Sequence, residues 1–165
     1  MKLKFSLDTP LTDTMVFEKI YPDELQVDLE YKQELKDNGA EFIILLDEET
    51  GSFIGETYFI PLDNLKDEEP DELQLEDGLE PYYGTNLVYC YSTTILPKYQ
   101  NLGYGKILKS FLYGYLQAKG YRGSIAHAKE GASVKLNTFF GAEIIGDFDN
   151  WFQTGIKHFM YLKIF

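Results

Sequence analysis

The sequence predicts an α/β (α+β) fold in a single domain that spans residues 1–165. Three observations support this prediction. Short apolar or alternating runs bounded by turn residues are typical of strands, and longer stretches with apolar side chains at helical spacing are typical of helices. Aromatic residues make up 16% of the chain, which favours a sheet because aromatic side chains pack well on pleated surfaces. A length of 165 residues suits one domain with one core.

The first part of the chain predicts a strand, a helix and a hairpin. KLKFSL at 2–7 alternates polar and apolar residues, as a strand does. A helix is predicted over 21–39, because a proline and acidic residues open it and an Asn-Gly pair ends it. The near-continuous apolar run EFIILLD at 41–47 and the run FIGETYFIPL at 53–62 form the hairpin.

An acidic insert follows at 63–81. It contains nine acidic residues, one lysine and two prolines. Its composition favours an exposed, solvated loop, with one helical turn at DELQLED. The alternative is a negatively charged wall that attracts a cationic substrate.

The second part of the chain predicts strands and helices in alternation. The strand TNLVYCYSTTIL precedes a helix that starts after Gly105 and ends at Lys119-Gly120. GSIAHA is a short strand, GASVKLNTFFGA a short helix, and 143–155 and 156–165 two final strands. The apolar stripe of the long helix contains Ile107, Leu108, Phe111, Leu112, Tyr115 and Leu116.

Charge and cysteine content exclude several classes of function. A net charge of −12 argues against nucleic-acid binding and favours cationic partners, although it also simply increases solubility. The single cysteine, Cys90, supports neither a disulfide framework nor a zinc cluster, so we predict no metal site. Its apolar strand favours a buried, inert thiol over a reactive one. Since there is no signal peptide and no apolar run of membrane-spanning length, we expect a cytoplasmic protein.

The corner ILPKYQNLGYGK at 95–106 is the strongest candidate for a binding site. Gly103 and Gly105 lack a Cβ atom, so the backbone can turn sharply and a ligand can come close. The first amides of the following helix have no partner within the helix and form an anion site, with Lys106 at its rim. The corner is neither a P-loop nor a dinucleotide fingerprint, since Leu108 stands where the latter requires glycine.

The corner resembles the Q/R-x-x-G-x-G/A motif of the GNAT N-acetyltransferase superfamily, through Gln100-x-x-Gly103-x-Gly105. The preceding ILPKY and the downstream SVKL and FGA segments are also similar to that family, as is the order of the elements. The resemblance covers about residues 40–165 well and the first 40 loosely. It implies a mixed central sheet of six to seven strands, flanked by helices, in which strands four and five splay apart.

The resemblance implies that acetyl-CoA is the co-substrate. Thr93, Thr94 and Ile95 would run alongside the pantetheine arm, because a splayed strand leaves unpaired backbone groups that need a partner. Lys98, Lys129 and Lys135 are candidates for the outer phosphate, with simple solvent exposure as the alternative. The pyrophosphate would be held by Gln100, Asn101, Leu102, Gly103, Tyr104, Gly105 and Lys106.

The resemblance further implies direct transfer of acetyl to a primary amine, either a cationic small molecule or a basic protein segment. The amide of Ile95 would stabilise the charge on the carbonyl oxygen. The tyrosine that usually protonates the departing thiolate is replaced by Asn137, which can only donate a hydrogen bond. Strand alternation puts Tyr91 on the face of Ile95, which makes it the first candidate for lining the acceptor site.

Other residues have a structural and a catalytic interpretation. Glu56 is either a solvent-facing strand acid or a base, and His127 and His158 are either structural or catalytic. Trp151 and Phe152 either pack in the core or shape the acceptor pocket.

Two other functions stay open. A silent GNAT-like module would bind CoA for regulation without catalysis. The acidic insert could instead serve as a protein-binding surface. Homodimers are common in the family, but no motif in this sequence demonstrates one.

Overall fold

The fold is a mixed seven-stranded sheet, with strand order β1-β2-β3-β4-β5-β7-β6. The computed structural model describes residues 2–7, 29–65, 78–151 and 156–165. The strands are β1 (Leu3–Ser6), β2 (Glu41–Asp47), β3 (Phe53–Pro61), β4 (Leu87–Ile95), β5 (Gly123–Lys129), β6 (Glu143–Trp151) and β7 (Ile156–Ile164). The helices of the described residues are α1 (Leu29–Asp37), α2 (Tyr104–Ala118) and α3 (Ala132–Phe139).

The predicted order of elements is confirmed wherever the structure describes the chain. Strand β2 has the predicted bounds, 41–47, and β3 ends within one residue of its predicted end. The predicted start of the first helix and the helical turn DELQLED lie outside the described residues. Residues 62–65, which overlap the start of the insert, form a short 3-10 turn that packs Leu62 and Leu65 into the core. None of the helices in the described part of the chain has both the length and the apolar character needed to span a membrane.

Strands β4 and β5 splay apart, as the resemblance predicts. They pair in parallel through only three residue pairs, of which the last joins Tyr89 to Ile125. On its other edge β4 stays paired with β3 as far as Ile95, opposite Gly55. The gap between the two strands therefore opens toward the end of β4, where the glycine corner begins.

A bulge in β4 changes which side chains share a face. The register with β3 shifts so that Tyr58 lies opposite Ser92 while Phe59 lies opposite Cys90. Tyr91 is the extra residue, and a bulge of this kind breaks the simple alternation of side chains. Thr57 spans the irregular segment, since its hydroxyl donates to the Ser92 carbonyl at 2.5 Å.

The sheet separates two layers of core. One layer, which we call the α1 face, includes Leu35 of α1, Tyr58 and Tyr89. The other, the α2 face, includes Leu108 and Leu112 of α2.

The stripe by which α2 packs on the sheet differs from the predicted one. Ile107 is 39% exposed, whereas Lys109 and Tyr113 are buried. The buried stripe is rotated because Phe140 and Phe165 pack on the Tyr113 ring, at centroid distances of 5.5 and 5.3 Å.

Candidate active site

The glycine corner is built by two left-handed residues between β4 and α2. Residues 97–99 form a 3-10 turn after the strand. Asn101 and Gly103 then have φ values of 61° and 87°, and α2 begins at Tyr104. Glycine carries no steric penalty in this conformation and asparagine a small one, so both residue types suit the turn.

Four amides of the corner are available to a ligand. The Gln100 amide donates to the Pro97 carbonyl at 3.2 Å and the Lys106 amide to the Gly103 carbonyl at 3.0 Å, so both are already used. The amides of Asn101, Leu102, Gly103 and Gly105 donate to no group among the described residues. Gly105 lies in the first turn of α2, where helix-terminal amides bind anions, and Asn101, Leu102 and Gly103 directly precede that turn.

Gln100 contributes through its side chain. Its Nε2 donates to the Ile95 carbonyl at 2.9 Å. This hydrogen bond ties the far end of the corner back to the end of β4, which makes the corner compact. A role for the Gln100 amide itself in holding a pyrophosphate is not supported, because that amide is occupied.

The backbone of Ile95 faces the gap between β4 and β5. The amide of the next residue, Leu96, donates to the Ile54 carbonyl of β3 at 2.9 Å. Since successive residues of a strand direct their amides to opposite edges, the Ile95 amide points away from β3 and toward the gap. The same alternation directs the backbone of Thr93 to the gap and that of Thr94 to β3.

Helix α3 reaches the same place. A Cβ atom at Gly105 would lie 3.9 Å from Ile95 Cγ1 and 3.9 Å from Leu136 Cδ2. The corner, the end of β4 and α3 therefore meet at Gly105. Asn137 follows Leu136 and is only 6% exposed, and its carboxamide has no hydrogen-bond partner among the described residues.

Tyr91 lies on the opposite face from Ile95, so the prediction that they share a face is wrong. Tyr91 packs in the α1 face, where its ring stacks on Tyr58 at 5.1 Å, whereas Ile95 packs in the α2 face. The bulge is the physical reason, because one extra residue reverses the alternation between the two positions.

Glu56 is buried, which corrects its interpretation as a solvent-facing acid. It is 0% exposed and forms an ion pair with Lys32 of α1, itself 2% exposed. The second carboxylate oxygen, Oε2, is buried and has no partner among the described residues. Burial raises the pKa of the Glu56 carboxyl, and the charge of Lys32 opposes this shift. The sequence offered no signal for this pair, because its members are 24 residues apart.

The two histidines pack on the α1 face. His127 is buried, and its Nδ1 lies 3.0 Å from the hydroxyl of Tyr89. His158 stacks on Phe148 at 5.0 Å, and its ring lies 5.5 Å from that of His127. The contact between Tyr89 and His127 joins β4 to β5 where the two strands begin to separate.

The three lysine candidates for the outer phosphate of CoA are exposed or half-buried. Lys98 and Lys135 are exposed, Lys129 is half-buried, and the Lys98 ammonium lies 4.7 Å from the centroid of the Tyr99 ring. The Trp151 side chain and Phe152 lie outside what the structure describes.

Cys90 is buried, as predicted, close to a cation that sequence reasoning missed. Burial raises the pKa of the Cys90 thiol, and the nearby Lys109 opposes this shift. Burial lowers the pKa of the Lys109 ammonium in turn.

Solved structures share this fold over the whole chain. No protein-family model and no curated protein matches the sequence. A GNAT family acetyltransferase from Elizabethkingia anophelis with acetyl-CoA bound is 12% identical, with a TM-score of 0.67 over 99% of this chain and 98% of that one. A chain of the NatC complex bound to Gag peptide and CoA is 10% identical, with a TM-score of 0.70 over 100% and 99%.

A third structure has a higher identity over a shorter span. The ribosomal-protein-alanine N-acetyltransferase from Brucella melitensis is 21% identical, with a TM-score of 0.60 over 84% of this chain and 80% of that one. Identities this low establish the architecture and leave activity to be argued from the site. The chain therefore has the fold of the GNAT N-acetyltransferases, as the motif at its glycine corner predicts.

Proposed function

We propose that the chain is an acetyl-CoA-dependent N-acetyltransferase that moves an acetyl group to a primary amine. One observation carries the proposal. Four amides without a partner among the described residues form a corner at the end of a strand that parts from its parallel neighbour. A ligand that is anionic at one end and rich in amides along its arm fits both features, and acetyl-CoA is such a ligand.

The chain's groups fit acetyl-CoA in two places. The amides of Asn101, Leu102, Gly103 and Gly105 would hold the pyrophosphate, supported by the open space around Gly103. The gap-facing backbone of Thr93 and Ile95 would pair with the pantetheine arm as an added strand does. Other proteins of this fold carry acetyl-CoA or CoA in their solved structures, which supports the same assignment.

The reaction is a direct transfer. The neutral amine nitrogen forms a bond with the acetyl carbon, the carbon–sulfur bond breaks, and CoA leaves as a thiolate. The amine gives up one proton, and the thiolate takes up one. An acceptor that arrives as an ammonium ion must first lose an additional proton to a base or a water, because a protonated amine has no electron pair to attack with.

Three residues have proposed roles in this transfer. The Ile95 amide would donate to the thioester oxygen as charge develops there. The Asn137 carboxamide would donate a hydrogen bond to the departing sulfur. Tyr91 would line the acceptor site, reached from the α1 face.

The acceptor is proposed to be cationic before it loses its proton. A net charge of −12 attracts either a small polyamine-like molecule or a basic protein segment. Solved proteins of this fold include an N-acetyltransferase for ribosomal-protein alanine and a complex with a peptide, which supports the second class. A homodimer remains a prediction.

A second function is favoured by the composition of the site. Strand β4 contains no carboxylate, and Asn137 cannot act as a proton donor to the thiolate. A module that binds CoA without turnover would have these features. Asn137→Ala separates the two: in the enzyme turnover falls while acetyl-CoA affinity is kept, and in the silent module there is no turnover to lose.

The pyrophosphate assignment is tested at Gly103 with a matched pair of variants. Aspartate and asparagine both tolerate a positive φ and have nearly the same shape, so Gly103→Asp and Gly103→Asn differ mainly by one negative charge. We expect Gly103→Asp to bind acetyl-CoA about 10- to 100-fold more weakly than Gly103→Asn, because the charge repels the phosphates. If the two folded variants bind acetyl-CoA equally well, the corner does not bind the pyrophosphate.

A further inference from the structure

The buried carboxylate of Glu56 has one oxygen that its ion pair does not use. Lys32 pairs with Oε1, whereas Oε2 is buried and has no partner among the described residues. A charged oxygen that is taken out of water without a hydrogen bond destabilises a fold, so such an atom in a native protein needs an explanation. The ion pair explains Oε1 alone and leaves Oε2 able to accept a proton.

Glu56 lies beside the place where the acetyl group would be held. On β3 it is directly opposite Thr94 of β4, and side chains opposite each other in an antiparallel pair share a face, with Cβ atoms about 4.5–5.5 Å apart. Thr94 precedes Ile95, whose amide is proposed to donate to the thioester oxygen. Thr94 also lies beyond Tyr89, the last residue of β4 that pairs with β5. Glu56 is therefore one strand away from the gap.

Glu56 is also on the acceptor side of the sheet. Two residues along β3, Tyr58 lies on the same face, and its ring stacks on Tyr91, which is proposed to line the acceptor site. The other buried carboxylate of the described residues belongs to Asp47 at the end of β2, where its Oδ1 accepts from the Glu49 amide at 3.0 Å. Of the two, only Glu56 is paired with β4.

The surroundings of Glu56 suit a base. Ile44 of β2, Thr94 of β4 and Lys32 of α1 face it, and of these only Lys32 is charged. The tyrosines of the α1 face add no charge. Burial raises the pKa of the Glu56 carboxyl, and Lys32 limits the rise. The carboxylate thus takes up a proton more readily than an exposed glutamate does, and a base works best when its pKa is near the working pH.

We propose that Glu56 accepts the proton that the amine nitrogen gives up as it bonds to the acetyl carbon. The N–H bond breaks, and its proton passes to Oε2 directly or through one water. The carbon–sulfur bond breaks and CoA leaves as a thiolate, after which Glu56 returns the proton to solvent. Lys32 is the positioning residue that favours the ionised carboxylate. This inference rests on the proposed function and names the base that β4 itself lacks.

The test is the pH dependence of turnover, measured as thiol release from acetyl-CoA. A panel of polyamines and lysine-rich peptides supplies the fastest acceptor, which is then used for every variant so that its own ionisation is the same throughout. We expect Glu56→Gln to lower kcat about 10²- to 10⁴-fold, the contribution typical of a general base, and to keep the affinity for acetyl-CoA. Lys32→Met should move the fall in kcat at low pH to higher pH, because the pKa of Glu56 rises without its counter-ion.

The double variant Lys32→Met/Glu56→Gln separates catalysis from folding, since it removes both charges together. It should bind acetyl-CoA and stay as slow as Glu56→Gln. Turnover regained in the double variant would overturn the proposal, because Glu56 would then serve only to neutralise Lys32. An unchanged kcat in Glu56→Gln, or a fall at low pH that stays in place in Lys32→Met, would overturn it too.

The matched control is Asp47→Asn, which also converts a buried carboxylate to an amide. It should keep both kcat and its pH dependence. A loss as large as that of Glu56→Gln would contradict the proposal, because it would indicate that either change disturbs the fold. If the unchanged protein releases no thiol with any amine of the panel, the proposed function itself fails, and this inference fails with it.

Discussion

At the scale of single residues, the buried charges are the main departure from an apolar core. Lys32 and Glu56 form a buried ion pair between α1 and β3, and Lys109 of α2 is buried beside Cys90 of β4. A buried charge pair gains little net stability, because the loss of hydration offsets most of the attraction between the charges. Removing Lys32 alone leaves the Glu56 carboxylate buried without its counter-ion.

Lys32 and Glu56 should therefore be strongly coupled. Lys32→Met alone should lower the free energy of unfolding by about 3–5 kcal/mol, because it leaves the Glu56 carboxylate buried without its counter-ion. Glu56→Leu alone should also lower it, and the double variant should lose less than the sum of the two single losses. Urea unfolding measures all three. The control is Lys157→Met, which breaks exposed pairs with Asp147 and Asp149 and should cost far less. Additive losses in the double variant would contradict the coupling.

Lys109 predicts a pH dependence of stability. Burial lowers the pKa of its ammonium in the folded state, while in the unfolded chain the pKa is at its usual value of 10.5. Between these two values the unfolded chain binds more protons, so stability rises with pH. Lys109→Met should be more stable than the unchanged protein at pH 7, and the difference should shrink as the pH approaches 10. A difference in the free energy of unfolding that stays constant with pH would rule this out.

At the scale of elements, the bulge in β4 sets the shape of the site. Thr57 is 0% exposed, and its hydroxyl bonds the Ser92 carbonyl and lies 3.2 Å from the Thr93 hydroxyl. These contacts hold the segment that directs the backbone of Thr93 and Ile95 into the gap. The irregular strand thus connects β3 to the proposed pantetheine track.

Thr57→Val keeps the shape of the side chain and removes its hydrogen bonds. We expect it to lower the free energy of unfolding by about 1–3 kcal/mol, since the Ser92 carbonyl loses its partner. Acetyl-CoA affinity should fall as well, because the backbone at Thr93 is no longer fixed. Thr50→Val is the control, as the exposed Thr50 bonds Ser52 in a turn. Identical behaviour of the two variants in urea unfolding and calorimetric titration would show that Thr57 does not fix the strand.

The sequence was sufficient to predict the order of helices and strands and the turn at the glycine corner. EFIILLD predicts β2 with its observed bounds, because a fully buried strand leaves a continuous apolar run. The motif Gln100-x-x-Gly103-x-Gly105 predicts the turn, because its positive φ favours glycine at position 103. Both signals are local in the chain.

The sequence was insufficient to predict features that depend on contacts between segments far apart in the chain. Alternation assigned Tyr91 to the wrong face, because a bulge depends on how β3 and β4 pair. The burial of Glu56 depends on Lys32 from another element. The stripe of α2 is rotated by contacts from Phe140 and Phe165, which lie far along the chain from Tyr113.

At the scale of the whole molecule, the net charge of −12 should influence the choice of acceptor. Attraction between the protein and a cationic amine is screened by salt, with a Debye length of about 10 Å at 0.1 M. The KM for an amine with several positive charges should therefore rise more steeply with ionic strength than the KM for a singly charged amine. If the KM values of the two amines depend equally on salt in steady-state assays, the net charge of the protein plays no part in acceptor recognition.

The central claim is that the glycine corner and the splayed strands bind acetyl-CoA for transfer to an amine. The most direct measurement is a calorimetric titration of the purified protein with acetyl-CoA, followed by a free-thiol assay with a panel of primary amines. We expect saturable binding and then thiol release that depends on the amine. Binding without release would favour the silent module, and a folded protein that binds no acetyl-CoA would contradict the claim.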